Sequence, residues 1–142
     1  MASKKFDPED FAAFLALLPK EKDGLVLRHA LEVRHASFAT EQFYDLARAH
    51  NVAIICAEDE TFPEIDEPTA DFSYARLMSS QQQHEQGVTP KQLTAHAKRA
   101  RGWSDRGDVF VYFIAGAKER NPAAAQALIK KLKLLRRGSA KR

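Results

Sequence analysis

Two pairs of polar side chains recur at strand spacing in this chain. Glu32 and Arg34 are two positions apart in Ala30-Leu31-Glu32-Val33-Arg34-His35, and Tyr74 and Arg76 are two positions apart in Phe72-Ser73-Tyr74-Ala75-Arg76-Leu77. Alternate side chains of a strand share a face, so Glu32 and Arg34 point one way and Leu31 and Val33 the other. Tyr74 and Arg76 likewise oppose Ala75 and Leu77. Charges in mid-strand are costly to bury unless paired. Two arginines against one glutamate leave a net positive site, and the guanidinium fork matches a carboxylate or phosphate. The chemistry expected is binding of a small anion by Arg34, Tyr74 and Arg76, with Glu32 as an acid/base or orienting group. The competing reading is a structural ion-pair network filling the sheet interior. Tyr112, within Asp108–Phe113, would join the site in one strand phase, but both faces of that segment are apolar and the phase stays open.

Other residues offer weaker chemistry. His35 follows Arg34 and is a candidate general base; a hydrogen bond to a neighbouring loop is its ordinary role. Ser37 reads as a turn or capping residue. His29 and His50 read as structural, His84 and His96 as exposed. Glu58 and Asp59 could join Glu32 around a hard divalent cation, yet no spacing fixes this, so a solvated acidic loop is the expectation and no metal site is assigned. Gly116-Ala117-Lys118, ahead of a helix opened by Asn121, could hold a phosphate at that helix N-terminus.

The elements that must position these residues alternate. Asp7 caps a helix with Pro8 at its first position and Phe6 stapled on Phe11. Phe11, Phe14, Leu15 and Leu18 form its apolar face, and Pro19 ends it. A turn over Lys20 to Gly24 leads to a first strand, Leu27 to Arg34. Thr40 caps a second helix buried through Phe43, Leu46 and Ala47, with Asn51 as a left-handed terminator. Val52 to Ala57 is a continuous apolar run, the signature of a strand covered on both faces. Glu58 to Asp71 holds seven acidic residues and no basic one and reads as a loop or one short helical turn. Phe72 to Leu77 is the third strand, followed by a glutamine-rich loop. Thr89-Pro90-Lys91-Gln92 is a capping box for a helix buried through Leu93, Ala97 and Ala100 and ending near Trp103. Asp108 to Phe113 is the fourth strand. Asn121-Pro122 caps a last helix with Ala125, Leu128, Ile129, Leu132 and Leu135 at helical spacing. Strands alternating with helices predict an α/β protein with a parallel sheet.

Composition narrows the class. The chain has 142 residues, 44% hydrophobic and 29% charged, ordinary for one globular domain. No stretch approaches the roughly 18 apolar residues of a membrane span, and no membrane partner is expected. The N-terminus carries no apolar signal core. The single cysteine, Cys56, excludes an internal disulfide and a cysteine zinc site, and the cytoplasm is the expected location. Seven of the 22 basic residues lie between Lys130 and Arg142, and the 15 that remain face 19 acidic ones. The basicity belongs to the tail. That tail could touch nucleic acid electrostatically, but it lacks interleaved aromatics for base stacking, and cations suit a helix C-terminus. Nucleic acid is therefore a secondary alternative. Residues 1–137 are assigned to one domain and 138–142 to a basic frayed tail.

The segments Phe14–Pro19, Ala30–Phe38, Thr69–Leu77 and Val109–Phe113, with Ile114–Lys118 and Asn121–Ala125, resemble in order the YecE-like family, also called domain of unknown function 72. Its members look like TIM barrels. The four strands resemble the family's fifth to eighth, and Lys4–Asp7 resembles the segment after the fourth. A full barrel takes roughly 250 residues and eight strands. The resemblance therefore implies the C-terminal half of a (β/α)8 barrel, a truncated or split protein. It implies a site at the strand C-termini lined by Glu32, Arg34, Tyr74 and Arg76, with His35 and Tyr112 beside them. Two positions depart from the family pattern: Ser79 stands where a glycine is usual and His96 where a tryptophan is frequent. The family has no settled activity, so neither reaction nor cofactor is implied. The expected partners are a small anionic ligand and, because strand edges are left open, a second copy or a complementary N-terminal half. The alternative is a non-catalytic assembly piece.

Overall fold

The computed structural model describes residues 4–139. Four α-helices, α1 (Pro8–Ala16), α2 (Glu41–Ala49), α3 (Pro90–Ser104) and α4 (Asn121–Ser139), pack with small, mostly parallel sheets. The helix starts follow from local chemistry. The Asp7 carboxylate accepts the N–H groups of Glu9 and Asp10, and Phe6 meets Phe11 edge-on at 5.9 Å. Thr40 caps α2 through the N–H of Phe43. Thr89 and Gln92 form the reciprocal capping box of α3, and Asn51 ends α2's exit with φ of 52°.

The strands are β1 (Glu21–Lys22), β2 (Leu25–Val26), β3 (His29–Leu31), β4 (Val52–Ile54), β5 (Cys56–Ala57), β6 (Phe72–Leu77) and β7 (Asp108–Phe113). β1 and β2 form a short antiparallel hairpin around Asp23-Gly24, whose φ angles of 53° and 78° are those of a two-residue hairpin turn. β3 pairs with β4, and β5, β6 and β7 pair in that order, all parallel.

Two strand expectations are corrected. The first strand is shorter than Leu27–Arg34: Leu27 N–H bonds the Lys20 carbonyl beside the hairpin, and the ladder ends at Leu31 opposite Ile54. The apolar run Val52–Ala57 is not one uniform strand. Val52 to Ile54 pair with β3, Ile55 N–H still donates to Leu31 O at 2.8 Å, and Cys56 and Ala57 pair with β6. The run changes neighbour at Ile55, so the chain advances from β3 through β4 and β5 to β6 and β7.

Thr69 supplies the bond that β4 lacks on its other side. Its buried hydroxyl donates to Val52 O at 2.8 Å and accepts Ile54 N–H at 3.1 Å. Thr69→Val keeps the shape and orphans both backbone groups, and should cost about 1–3 kcal/mol in urea unfolding. At the start of β7, Gly107 has φ of 146°, and a Cβ there would lie 2.0 Å from the Asp71 carbonyl oxygen, so only glycine admits this approach.

One face of β5–β7 packs on helices. Ala75, Val109, Val111 and Phe113 meet Leu93, Ala97, Ala100 and Trp103 of α3 and Ala124 and Leu128 of α4. A second core joins α1, α2 and the 3₁₀ turn Ala36–Phe38 through Phe6, Phe11, Phe38 and Phe43. α4 departs from expectation in two ways. Ala124 is buried while Ile129 is half exposed. Asn121 does not cap the helix: its side chain bonds the N–H and carbonyl of Ala115, and the 3₁₀ turn Lys118–Arg120 leads directly into α4. The backbone stays helical to Ser139, and residues 140–142 of the expected tail lie outside the described residues. No described helix is long and apolar enough to cross a membrane.

Candidate functional site

The face of β6 and β7 turned away from α3 and α4 carries Phe72, Tyr74, Arg76, Phe110 and Tyr112, with Phe72 buried and Arg28 over the Phe72 and Phe110 rings. The register settles the phase that sequence left open: Arg76 lies opposite Tyr112, and Tyr74 opposite Phe110. Tyr74 and Tyr112 stack with centroids 5.0 Å apart and planes 21° from parallel. Tyr112 remains about half exposed.

Glu32 and Arg34 follow β3 in extended chain and reach the same place. The Arg34 Nε and Nη2 both approach Glu32 Oε1 at 2.7 Å, and Arg76 Nη1 donates to the other carboxylate oxygen. The carboxylate is thus bridged by two guanidinium groups from elements 44 residues apart. Arg34 is the more open, its side chain 55% exposed against 21% for Arg76, and it lies 5.8 Å from the Phe62 ring centroid. Next to Arg34 is a cleft of about 540 Å³ whose walls include Lys4, Lys5, Phe11, Phe14, Glu32 and Arg34. Lys4 is itself paired with Asp10.

Burial pushes the Glu32 pKa up, and the two arginines overcome it, so that the net shift is downward. The folded state therefore gains stability from Glu32 above the ordinary glutamate range of about 4.3. That gain disappears as pH falls through the depressed folded value. The melting-temperature advantage of the wild type over Glu32→Gln is expected to persist from pH 7 to about 5 and to shrink below about 4. A constant difference across that range would show that ionised Glu32 contributes nothing.

His35 turns to local structure. Its Nδ1 accepts the N–H of Ser37 at 3.0 Å and lies 2.8 Å from the Ser37 hydroxyl, which in turn accepts Phe6 N–H at 2.8 Å. Both residues thus shape the 3₁₀ turn, and His35 makes no hydrogen bond to Glu32, Arg34 or Arg76 among the described residues. Glu58 and Asp59 do not converge with Glu32. Asp59 caps the N–H groups of Thr61 and Phe62, and Glu58 faces α3.

Glu58 belongs to a second polar cluster, which no sequence spacing announces. Arg99 of α3 pairs with Glu64, lies 3.5 Å from Asp66 and 3.9 Å from Glu58, and sits over the Trp103 ring. Trp103 Nε1 donates to Asp66 at 2.7 Å. The acidic loop is therefore held on α3 rather than left solvated. Cys56 lies beneath it, its thiol pushed up to about 12 by burial, so it stays protonated. His96, expected on the surface, is only 5% exposed. Its position three residues beyond Leu93 and four before Ala100 places it on the buried stripe, a spacing signal that its polarity masked.

Comparison with known proteins bears on the fold. A family model described as "Protein of unknown function DUF72" matches residues 2–142. No curated protein matches the chain. The crystal structure of a DUF72 family protein from Thermotoga maritima MSB8 superposes with a TM-score of 0.63 at 19% identity, over 92% of this chain and 53% of that one. A DUF72 family protein from Enterococcus faecalis V583 gives 0.63 at 13% identity, over 88% and 53%. The chain spans about half the length of these solved relatives, and at such identities the likeness concerns the fold alone.

Proposed function

The chain belongs to the DUF72 family, and on that basis we propose that it forms half of a (β/α)8 barrel whose strand C-termini hold a small anion. The parallel succession from β3 to β7 supports the half-barrel reading. So does the division of the sheet into a helix-covered face and a face of aromatic and charged side chains. In a barrel that second face is the interior, and ligands bind at its C-terminal end.

The observation that carries the anion reading is the Glu32 carboxylate held between Arg34 and Arg76. A planar oxyanion already fits between the two forks. Arg34 Nη1 and Arg76 Nε and Nη2 have no hydrogen bond among the described residues, so the pair retains donors for a ligand. The stacked Tyr74 and Tyr112 form a flat wall beside Arg76 that suits an apolar or aromatic body attached to the anion. Calorimetric titration of the purified chain with inorganic phosphate and with benzoate tests this. Saturable binding of either that weakens in Arg34→Ala supports the reading; no binding of either at millimolar concentration rejects it.

A second reading concerns assembly. β3 and β7 each have one edge without a strand partner among the described residues, and open parallel edges invite pairing. A second copy, or a complementary N-terminal half, would close them. Light scattering with a thermal melt decides: a cooperative dimer supports closure by a second copy, and a cooperatively melting monomer rejects the need for a partner.

A further inference from the structure

Ser79, His96 and Glu58 come from three segments: the loop after β6, the middle of α3, and the residue following β5. The imidazole lies between the other two, with a different ring nitrogen toward each. Nε2 is 3.2 Å from the Ser79 hydroxyl, and Nδ1 is 3.6 Å from Glu58 Oε1. The carboxylate is fixed from behind. Its Oε2 accepts the Met78 N–H at 3.0 Å, and the Glu58 N–H donates to the Arg76 carbonyl at 2.9 Å. The buried ring meets Phe113 edge-on at 5.9 Å.

The charged groups acting on His96 are Glu58, Arg99 and Glu64. Burial outweighs the carboxylates and lowers the imidazole pKa, so the ring is neutral at neutral pH. A neutral ring whose Nδ1–H faces a carboxylate turns its Nε2 lone pair to the serine hydroxyl. That order of groups activates a serine, and such contacts are commonly loose before substrate arrives. Ser79 is only half-buried, hence reachable. The adjacent Ser80 hydroxyl is buried with no partner among the described residues, a spare donor one residue away.

We propose that Ser79, His96 and Glu58 form a nucleophile–base–acid relay that accepts the acyl group of a small carboxylic ester. The Ser79 oxygen bonds to the ester carbonyl carbon as its proton passes to His96 Nε2. The bond from that carbon to the alcohol oxygen breaks, and the alcohol leaves with the proton. Water then gives a proton to Nε2 while its oxygen bonds to the acyl carbon. The serine–acyl bond breaks, the serine recovers the proton, and the free acid departs. Glu58 stays ionised and holds the tautomer. The relay shares no side chain with the Arg34–Glu32–Arg76 site, so either can fail alone.

The test uses p-nitrophenyl acetate on the full chain, read by nitrophenolate release and by mass spectrometry of the quenched protein. The expected result is one acetyl group per chain, mapped to Ser79 and absent from Ser79→Ala. His96→Gln and Glu58→Gln should slow acetylation, the former by about 100-fold, while Ser104→Ala on the distant end of α3 leaves it unchanged. Each variant is checked by its thermal melt, and Glu58→Gln carries the test if His96→Gln does not fold. Acetylation that persists in Ser79→Ala at the wild-type rate, or a Ser79 rate unchanged in both relay variants, overturns the proposal.

Discussion

Phe43→Ala should lower the free energy of unfolding by about 3–5 kcal/mol. Phe43 is completely buried. The rings of Phe6, Phe11 and Phe38 approach it with centroids 5.5, 5.1 and 5.0 Å away, all near edge-on. Truncation removes the transfer energy of a ring and leaves a void among three others that are fixed by separate segments. Phe6 is tied to the Ser37 hydroxyl through its N–H, so the cluster cannot simply collapse inward. Domains are typically stable by only about 5–15 kcal/mol, so a large share would vanish. Urea denaturation monitored by far-UV circular dichroism gives the number. Phe43→Leu should cost less because it retains part of the volume. A loss below about 1 kcal/mol for Phe43→Ala would mean that this cluster does not hold α1 and α2 to β4.

The second large effect is on binding. Arg76→Ala should weaken anion affinity roughly tenfold to a hundredfold, the worth of about 1.5–3 kcal/mol for hydrogen bonds to charged groups. Arg76 is the better-buried fork, and its register opposite Tyr112 fixes where its charge lies. Its removal also leaves Glu32 with Arg34 alone. The remaining pair is close to neutral, and the net positive charge on which the proposed anion binding rests is gone. Arg76→Lys separates charge from shape: it keeps the cation and loses the planar fork, so it should recover only part of the affinity. An unchanged affinity in Arg76→Ala would assign the three residues to structure alone.

Much of this arrangement was legible because strand spacing is strict. Alternation places Glu32 with Arg34 and Tyr74 with Arg76, and packing of the opposite apolar faces on helices puts the two pairs on one side. The structure brings Glu32, Arg34 and Arg76 into contact although β3 ends at Leu31 and Glu32 and Arg34 lie in the extended chain beyond it. The capping residues Asp7, Thr40 and Thr89 were equally plain, since their side chains act within three residues. Tyr112 was not legible: with apolar residues on both faces of β7, its phase depends on pairing with β6. A turn over Lys20 to Gly24 is legible, but its narrowing to Asp23-Gly24 is not, because strands of two residues carry too little alternation to reveal the hairpin. The ties from Arg99 to Glu58, Glu64 and Asp66 leave no mark in the sequence pattern because charge attraction has no periodicity. His35, a candidate base whose ordinary role is a hydrogen bond to a neighbouring loop, takes that ordinary role, its ring turned to Ser37.

The most direct measurement is the ¹⁵N–¹H spectrum of the arginine Nε groups during titration with benzoate, assigned through Arg34→Lys and Arg76→Lys. Anion held by the donors that Glu32 leaves free on the two forks predicts that the Arg34 and Arg76 signals shift together along one saturation curve, while Arg28, paired with Asp108 at the opposite end of β7, stays still. Shifts spread evenly over all arginines, or none at Arg34 and Arg76, would contradict the account.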